Sequence, residues 1–305
     1  MKECPLVSVL IPNYNHAIYL ERRINSILSQ TYSNLEIIIL DDCSTDNSLD
    51  IINRYKGDSR ISAIVQNEEN SGSPFAQWKK GISIAKGAIV WIAESDDACK
   101  TTLLEELVDL LQKNRLVMAF CLSQIIRGDD SMGDVVQKDV ERNIVMTGNE
   151  YISKHISMIT NASSAIFLRK CALNIENNYF EYKGTGDWLF WAGIAYQGNV
   201  GVLAKPLNYY RVHENSTTSK MFSNGRDFFE LNSVYKCLYE RGLWGSWAYI
   251  RNCAQMLYAV KYVHAYDNES IRKSLLVTWN KTSVISRYLC LIMRCRFLLK
   301  QIIKR

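Results

Sequence analysis

Short apolar runs and amphipathic stretches alternate through the first 125 residues of the chain. Leu6 to Ile11 is an apolar run closed by Pro12-Asn13, which predicts a strand followed by a loop. From Tyr19 to Gln30, Leu20, Ile24, Ile27 and Leu28 recur at helical spacing. Leu35 to Leu40 is a second buried-type strand, ending at Asp41-Asp42. Asp46 or Asn47 caps the next predicted helix, which packs Leu49, Ile51, Ile52 and Tyr55. Ile61 to Val65 predicts a third strand, and Phe75 to Ala85 a helix stopped by Lys86-Gly87. Ala88 to Ala93 predicts a fourth strand, followed by Glu94-Ser95-Asp96-Asp97. A helix over about 102–113 and a strand over 118–126 complete the series.

Repeated strand–helix units imply a mostly parallel α/β sheet with helices on both faces. Ligands of such sheets lie outside the carboxyl ends of the strands. Three polar clusters fall at those ends: Pro12-Asn13-Tyr14-Asn15, Asp41-Asp42-Cys43-Ser44, and Glu94 to Asp97. Residues 127–150 are polar and aperiodic and predict a loop. Beyond them the pattern gives a helix near Tyr151–Met158, a strand near Ala165–Leu168 and a helix near Trp188–Tyr196. Residues 1–219 therefore form one expected domain, and 220–305 an aromatic-rich helical region.

The composition, 48% hydrophobic and 22% charged, is an ordinary globular balance. A net charge of +5 is too mild to argue for nucleic acid as a partner. The nine cysteines show no zinc spacing, which suits reduced thiols in the cytoplasm. The N-terminus runs straight into a strand, so no signal peptide is expected. No apolar window reaches the length of a membrane span.

Four segments carry candidate chemistry. Crowded carboxylates at 94–97 repel unless a cation joins them. Mn²⁺ or Mg²⁺ carrying a diphosphate fits, and so does a solvated turn before a helix. Asp41 or Asp42 can accept hydrogen bonds from a base or ribose, or simply shape a turn. Asp187, in Lys183-Gly184-Thr185-Gly186-Asp187-Trp188, is either a helix cap or a general base. In Tyr209 to Asn215, His213 is a metal ligand, a phosphate donor or a structural residue. Arg211 could pair with phosphate. Trp188 and Trp191 are either an acceptor platform or buried core. There is no Walker A sequence, no GxGxxG after a strand and no GxSxG elbow.

In order, these pieces resemble the family 2 glycosyltransferases of GT-A fold, of the bacterial cell-surface polysaccharide type. The resemblance runs over residues 5–215. It rests on Val7 to Asn15, on Ser26 to Tyr32 with Leu35 to Asp46, and on Lys86 to Asp97. It implies an inverting, metal-dependent transfer from a nucleotide sugar, with UDP the expected carrier, to a glycan or lipid-linked acceptor. Asp187 would be the base. Pro12, Asn13, Tyr14, Asp41, Asp42, Glu94, Ser95 and Asp96 would hold the donor, and Asp96, Asp97 and His213 the metal. A non-catalytic nucleotide-sugar or glycan-binding module on the same fold is the alternative.

Three positions depart from the family pattern. Glu94 replaces the usual Asp, the loop from Gly72 to Gly81 lacks the usual Arg-Asn pair, and Gly186 replaces an acid. The QxxRW motif of processive synthases is missing, which favours single addition. Val284 to Arg305 carries six basic residues and no acid beside an apolar arc. That pattern suits peripheral attachment to the inner face of the cytoplasmic membrane, or packing on the core or a second copy in a homodimer.

Overall fold

The computed structural model describes residues 4–213, 225–263 and 269–303, with side chains to Cys295. The chain divides into two compact units, residues 1–213 and 214–305. The expected boundary at 219/220, the Glu214-Asn215 end of the His213 motif and the basic side chains from Arg296 onward lie outside the described residues.

The first unit begins with alternating strands and helices: β1 (Val7–Asn13), α1 (Ala17–Leu28), β2 (Leu35–Asp41), α2 (Ser48–Arg54), β3 (Ile61–Gln66), α3 (Pro74–Ile84) and β4 (Ile89–Ile92). Every residue of β1, β2 and β4 is buried. Their unbroken apolar runs have helices to cover both faces, the pattern parallel strands require. β1 pairs parallel with β2 and β4, in a register that sets Asn13 beside Asp41.

Next come β5 (Ala98–Cys99), α4 (Leu103–Lys113), β6 (Met118–Arg127), β7 (Met132–Val135) and β8 (Ile144–Thr147). β9 (Ala165–Leu168), α5 (Arg169–Leu173), α6 (Gly186–Ala195) and β10 (Asn199–Val212) follow. The sheet order is β3-β2-β1-β4-β9-β6-β10-β5, with β7 on β6 and β8 on β10. β9 runs antiparallel to both its neighbours, while β6 and β10 are parallel, so the α/β sheet is parallel at one end and mixed beyond.

The stretch 127–150, expected as a loop, contains β7 and β8. β7 alternates exposed and half-buried residues on a hairpin edge, and so has no apolar run to read. β10 also escaped the pattern reading, because its register shifts around Pro206 break it into two halves. The helix expected near 151–158 is a wide π turn, Tyr151–His155, followed by a tight turn, Ile156–Met158.

The second unit contains α7 (Arg226–Glu240), α8 (Ser246–Tyr258), α9 (Glu269–Asn280) and α10 (Val284–Ile303). Buried Trp244 and Trp279 pack around Tyr235. Among the described residues, no helix is long and apolar enough to cross a membrane.

Candidate active site

The carboxyl ends of β1 and β2 are laced together by side chains. Asn13 Nδ2 donates to Asp41 Oδ1 at 2.9 Å, and Ser44 gives Asp41 both its hydroxyl and its backbone N–H. Asn15, in left-handed backbone at φ 55°, accepts from the backbone N–H of Thr45 at 2.7 Å. Asp42 accepts four hydrogen bonds on its carboxylate: Asn67 at 2.6 Å, the Ser71 N–H at 2.9 Å, Gln77 at 2.7 Å and the Ser71 hydroxyl at 2.8 Å. Four is about the capacity of a carboxylate. Asp41 and Asp42 thus organise the three loops at this sheet edge. Pro12 lies in buried β1 beside them, and Tyr14 projects from the loop, 45% exposed.

The acidic turn after β4 sends four successive side chains to five partners. Glu94 Oε1 accepts from the Trp78 indole at 2.9 Å. Ser95 Oγ bonds His16 Nδ1 at 2.8 Å. Asp96 Oδ2 lies 3.1 Å from His213 Nε2. Asp97 Oδ2 accepts from Ser163 Oγ at 2.6 Å, and its Oδ1 from the Arg211 N–H at 2.9 Å.

These environments separate the three acids. Burial, then the charges of Asp96 and Asp97, push Glu94 up to about 8. Burial, then the Asp96 charge, pushes Asp97 up to about 7. Burial also acts to raise Asp96, but the His213 hydrogen bond and the two nearby histidines outweigh it and hold the group below its ordinary value. Of the three acids, Asp96 is the one whose ionised form its surroundings favour.

Asp96 and His213 meet a third group that the sequence reading did not select. One ligand atom each from His16, Asp96 and His213 lies within 4.8 Å of the others. His213 and Asp96 are hydrogen-bonded to each other at 3.1 Å, and two imidazoles with a carboxylate are a donor set that could hold a divalent ion. Asp97, expected among the ligands, is 1% exposed and accepts from the Ser163 hydroxyl and the Arg211 backbone N–H.

Arg211, which could pair with phosphate, already has partners within the fold. Its buried guanidinium donates to the carbonyls of Asp96 and Arg127 at 2.7 and 2.8 Å and pairs with Asp130 at 2.7 Å. Arg23, also unselected, is fully buried on α1 with its guanidinium over the Trp91 ring at 4.9 Å. Its positive charge favours the ionised forms of Glu94 and Asp97.

Asp187 opens the first turn of α6. Burial pushes it up to about 7, a value suited to proton transfer near neutrality. A Cβ at Gly186 would collide with the Tyr179 carbonyl oxygen and press on the Phe75 ring, so no second acid fits there. Trp78 joins this helix to the acidic turn, packing on Phe190 and Trp191 at 5.3 and 6.1 Å while its indole N–H holds Glu94. Trp191, 1% exposed, is core rather than an acceptor platform, and Trp188 is half-buried.

The family model described as glycosyl transferase family 2 matches residues 8–174, and the chain belongs to this family. Among its relatives, the Escherichia coli UDP-Glc:alpha-D-GlcNAc-diphosphoundecaprenol beta-1,3-glucosyltransferase WfaP is 31% identical over 221 residues, 71% of this chain and 81% of that one. Two other curated glycosyltransferase relatives are spanned over only 65% and 46% of their lengths. Solved structures share the GT-A fold. TarS 1-349 of S. aureus in complex with UDP-GlcNAc superposes with TM-score 0.61 and 20% identity, covering 90% of this chain and 71% of that one. The mannosyltransferase PcManGT of Pyrobaculum calidifontis, with GDP-Man and Mn²⁺, gives 0.57 and 17%, covering 97% and 81%.

Proposed function

We propose that the chain is an inverting, metal-assisted glycosyltransferase. It moves a sugar from a nucleoside-diphosphate donor, with UDP the expected carrier, to a hydroxyl of a glycan or lipid-linked acceptor. The observation that carries this reading is the pairing of an ionised Asp96 with His213 at the β4–β10 end, in a unit that also holds Asp187 tuned to about 7. The WfaP and TarS likenesses support a UDP-sugar donor, and the diphosphoundecaprenol in the name of WfaP supports a lipid-linked acceptor.

In this mechanism Asp187 accepts the acceptor hydroxyl proton as that oxygen attacks the anomeric carbon. The bond from that carbon to the diphosphate oxygen breaks on the opposite face, which inverts the configuration. His16, Asp96 and His213 would hold the divalent ion, which neutralises charge on the diphosphate. The buried Asp42 network and the Asn13–Asp41 bond keep the donor-side loops ordered before binding, which lowers the ordering cost of association.

Peripheral membrane attachment belongs to the same reading. α10 exposes Val284, Ile285, Tyr288, Leu291 and Ile292 on one side, while Ser286 and Cys290 are buried and Ser286 bonds the Ile250 carbonyl. The basic, acid-free sequence from 284 to 305 complements anionic lipid. The deciding experiment for catalysis is a panel of sugar nucleotides with Mn²⁺ and polyprenyl-diphosphate sugars, read as nucleoside diphosphate release. Donor binding without release across the panel would favour a non-catalytic module.

A further inference from the structure

We propose that Ser73 is a positioning residue: its hydroxyl fastens the segment that carries Asp187 to the loop that braces Asp42, so the proton acceptor is placed from the donor side. The inference rests on the reading of Asp187 as the base and adds the residue that sets where this base stands.

Ser73 has the sequence of a helix cap and does not act as one. It precedes Pro74 at the start of α3, in extended backbone at φ −148° and ψ 125°. A serine there ordinarily accepts from the first free N–H groups of its own helix. The Ser73 hydroxyl makes no such bond. It donates across to the Tyr182 carbonyl at 2.9 Å, with the Phe180 carbonyl at 3.5 Å beside it. Ser73 is 8% exposed, so water competes little for this bond.

The two segments so joined belong to different parts of the site. On one side, Ser71 gives Asp42 its N–H, and its hydroxyl lies 2.8 Å from Asp42 Oδ2 and 3.1 Å from the Ser73 carbonyl. On the other side, only Lys183 to Gly186 separate Tyr182 from Asp187. This link contains Gly184 and Gly186, so its own backbone does little to fix where α6 begins. Two further contacts run the same way. Lys79 Nζ sits over the Phe180 ring at 4.0 Å, and the tight turn Asn177–Glu181 packs against both α3 and α6.

Placement of this kind governs rate more than affinity. A displacement of about 1 Å can cost about 10²-fold in turnover. The bonds that Asn67, Ser71 and Gln77 make to Asp42 do not use the Ser73 hydroxyl, so the donor side survives its loss.

The test compares Ser73→Ala and Ser73→Thr in the full chain. Amide hydrogen exchange without any ligand should quicken over residues 180–187 in Ser73→Ala and stay near wild type over 67–73. Turnover is read with the sugar nucleotide and polyprenyl-diphosphate sugar that give the fastest UDP release by the wild type. Ser73→Ala should lower kcat about tenfold or more, while UDP affinity by calorimetry with Mn²⁺ stays within about twofold. Ser73→Thr keeps the hydroxyl and suits extended backbone, so it should recover most of kcat. Unchanged exchange over 180–187, wild-type kcat in Ser73→Ala, or a loss confined to UDP affinity overturns the proposal. A wild type that releases no UDP with any of the panel defeats the transferase reading, and full turnover in Asp187→Asn defeats the base reading. In either case the exchange comparison still decides whether Ser73 holds the segment.

Discussion

Replacing Asp187 by Asn should separate catalysis from folding, because in the proposed mechanism one half-buried carboxyl serves the first at the expense of the second. Its value of about 7 against an ordinary 3.8 amounts to about three units. At about 1.4 kcal/mol per unit, holding the ionised form costs the fold at most about 4 kcal/mol. The sign follows from the raised value: the fold is most stable below pH 3.8 with respect to this group. That stability is lost as pH climbs from 3.8 through 7. Asp187→Asn removes the ionisation, so at pH 8 the variant should melt at or above the wild-type temperature. Turnover should fall by about 10²–10⁴, the contribution of a positioned base. In the wild type, kcat/KM should rise about tenfold between pH 6 and pH 8, as the ionised fraction climbs from about a tenth to about nine-tenths. UDP release followed across pH, beside thermal melts in the same buffers, tests all three. Near-wild-type turnover in the variant, or melting well below wild type at pH 8, would refute the reasoning.

Glu94, pushed up to about 8, is largely protonated at neutral pH, so Glu94→Gln should keep the Trp78 bond and most of the stability. Glu94→Ala strands a buried indole N–H and should cost about 1–3 kcal/mol in urea denaturation. Gly186→Ala should lower stability by about 1–3 kcal/mol or more, since the new methyl meets the backbone of Tyr179. A chain carrying Tyr288→Glu and Leu291→Glu should no longer sediment with phosphatidylglycerol vesicles at low salt. Unchanged sedimentation would remove α10 as the lipid contact, and loss of a dimer in sizing experiments would make that face a subunit interface instead.

Strands β1, β2 and β4 were legible because both of their faces are buried, which writes the strand as an unbroken apolar run. β10 was not, because Pro206 and the register shifts beside it interrupt the run while hydrogen bonding to β6 carries on across them. The acidic turn announced itself by composition. Which carboxylate faces the histidines depends on the turn's backbone, so spacing could not separate Asp96 from Asp97. His16 had no signal of its own: a single imidazole before a helix gains meaning only when β10 brings His213 beside it. Arg23 reads as the polar side of an amphipathic helix, yet the fold buries it completely. Only the sheet's layering puts the acids above it and turns an ordinary helix arginine into a counter-charge.

Trp78 has a consequence for how this enzyme could diversify. One indole touches the helix that bears Asp187 and the turn that bears Asp96, so in the proposed mechanism it would act as a spacer gauge between proton acceptor and leaving group. A smaller ring at position 78 would leave each half of the machinery intact and set them at the wrong separation, an enzyme that binds both substrates and joins neither.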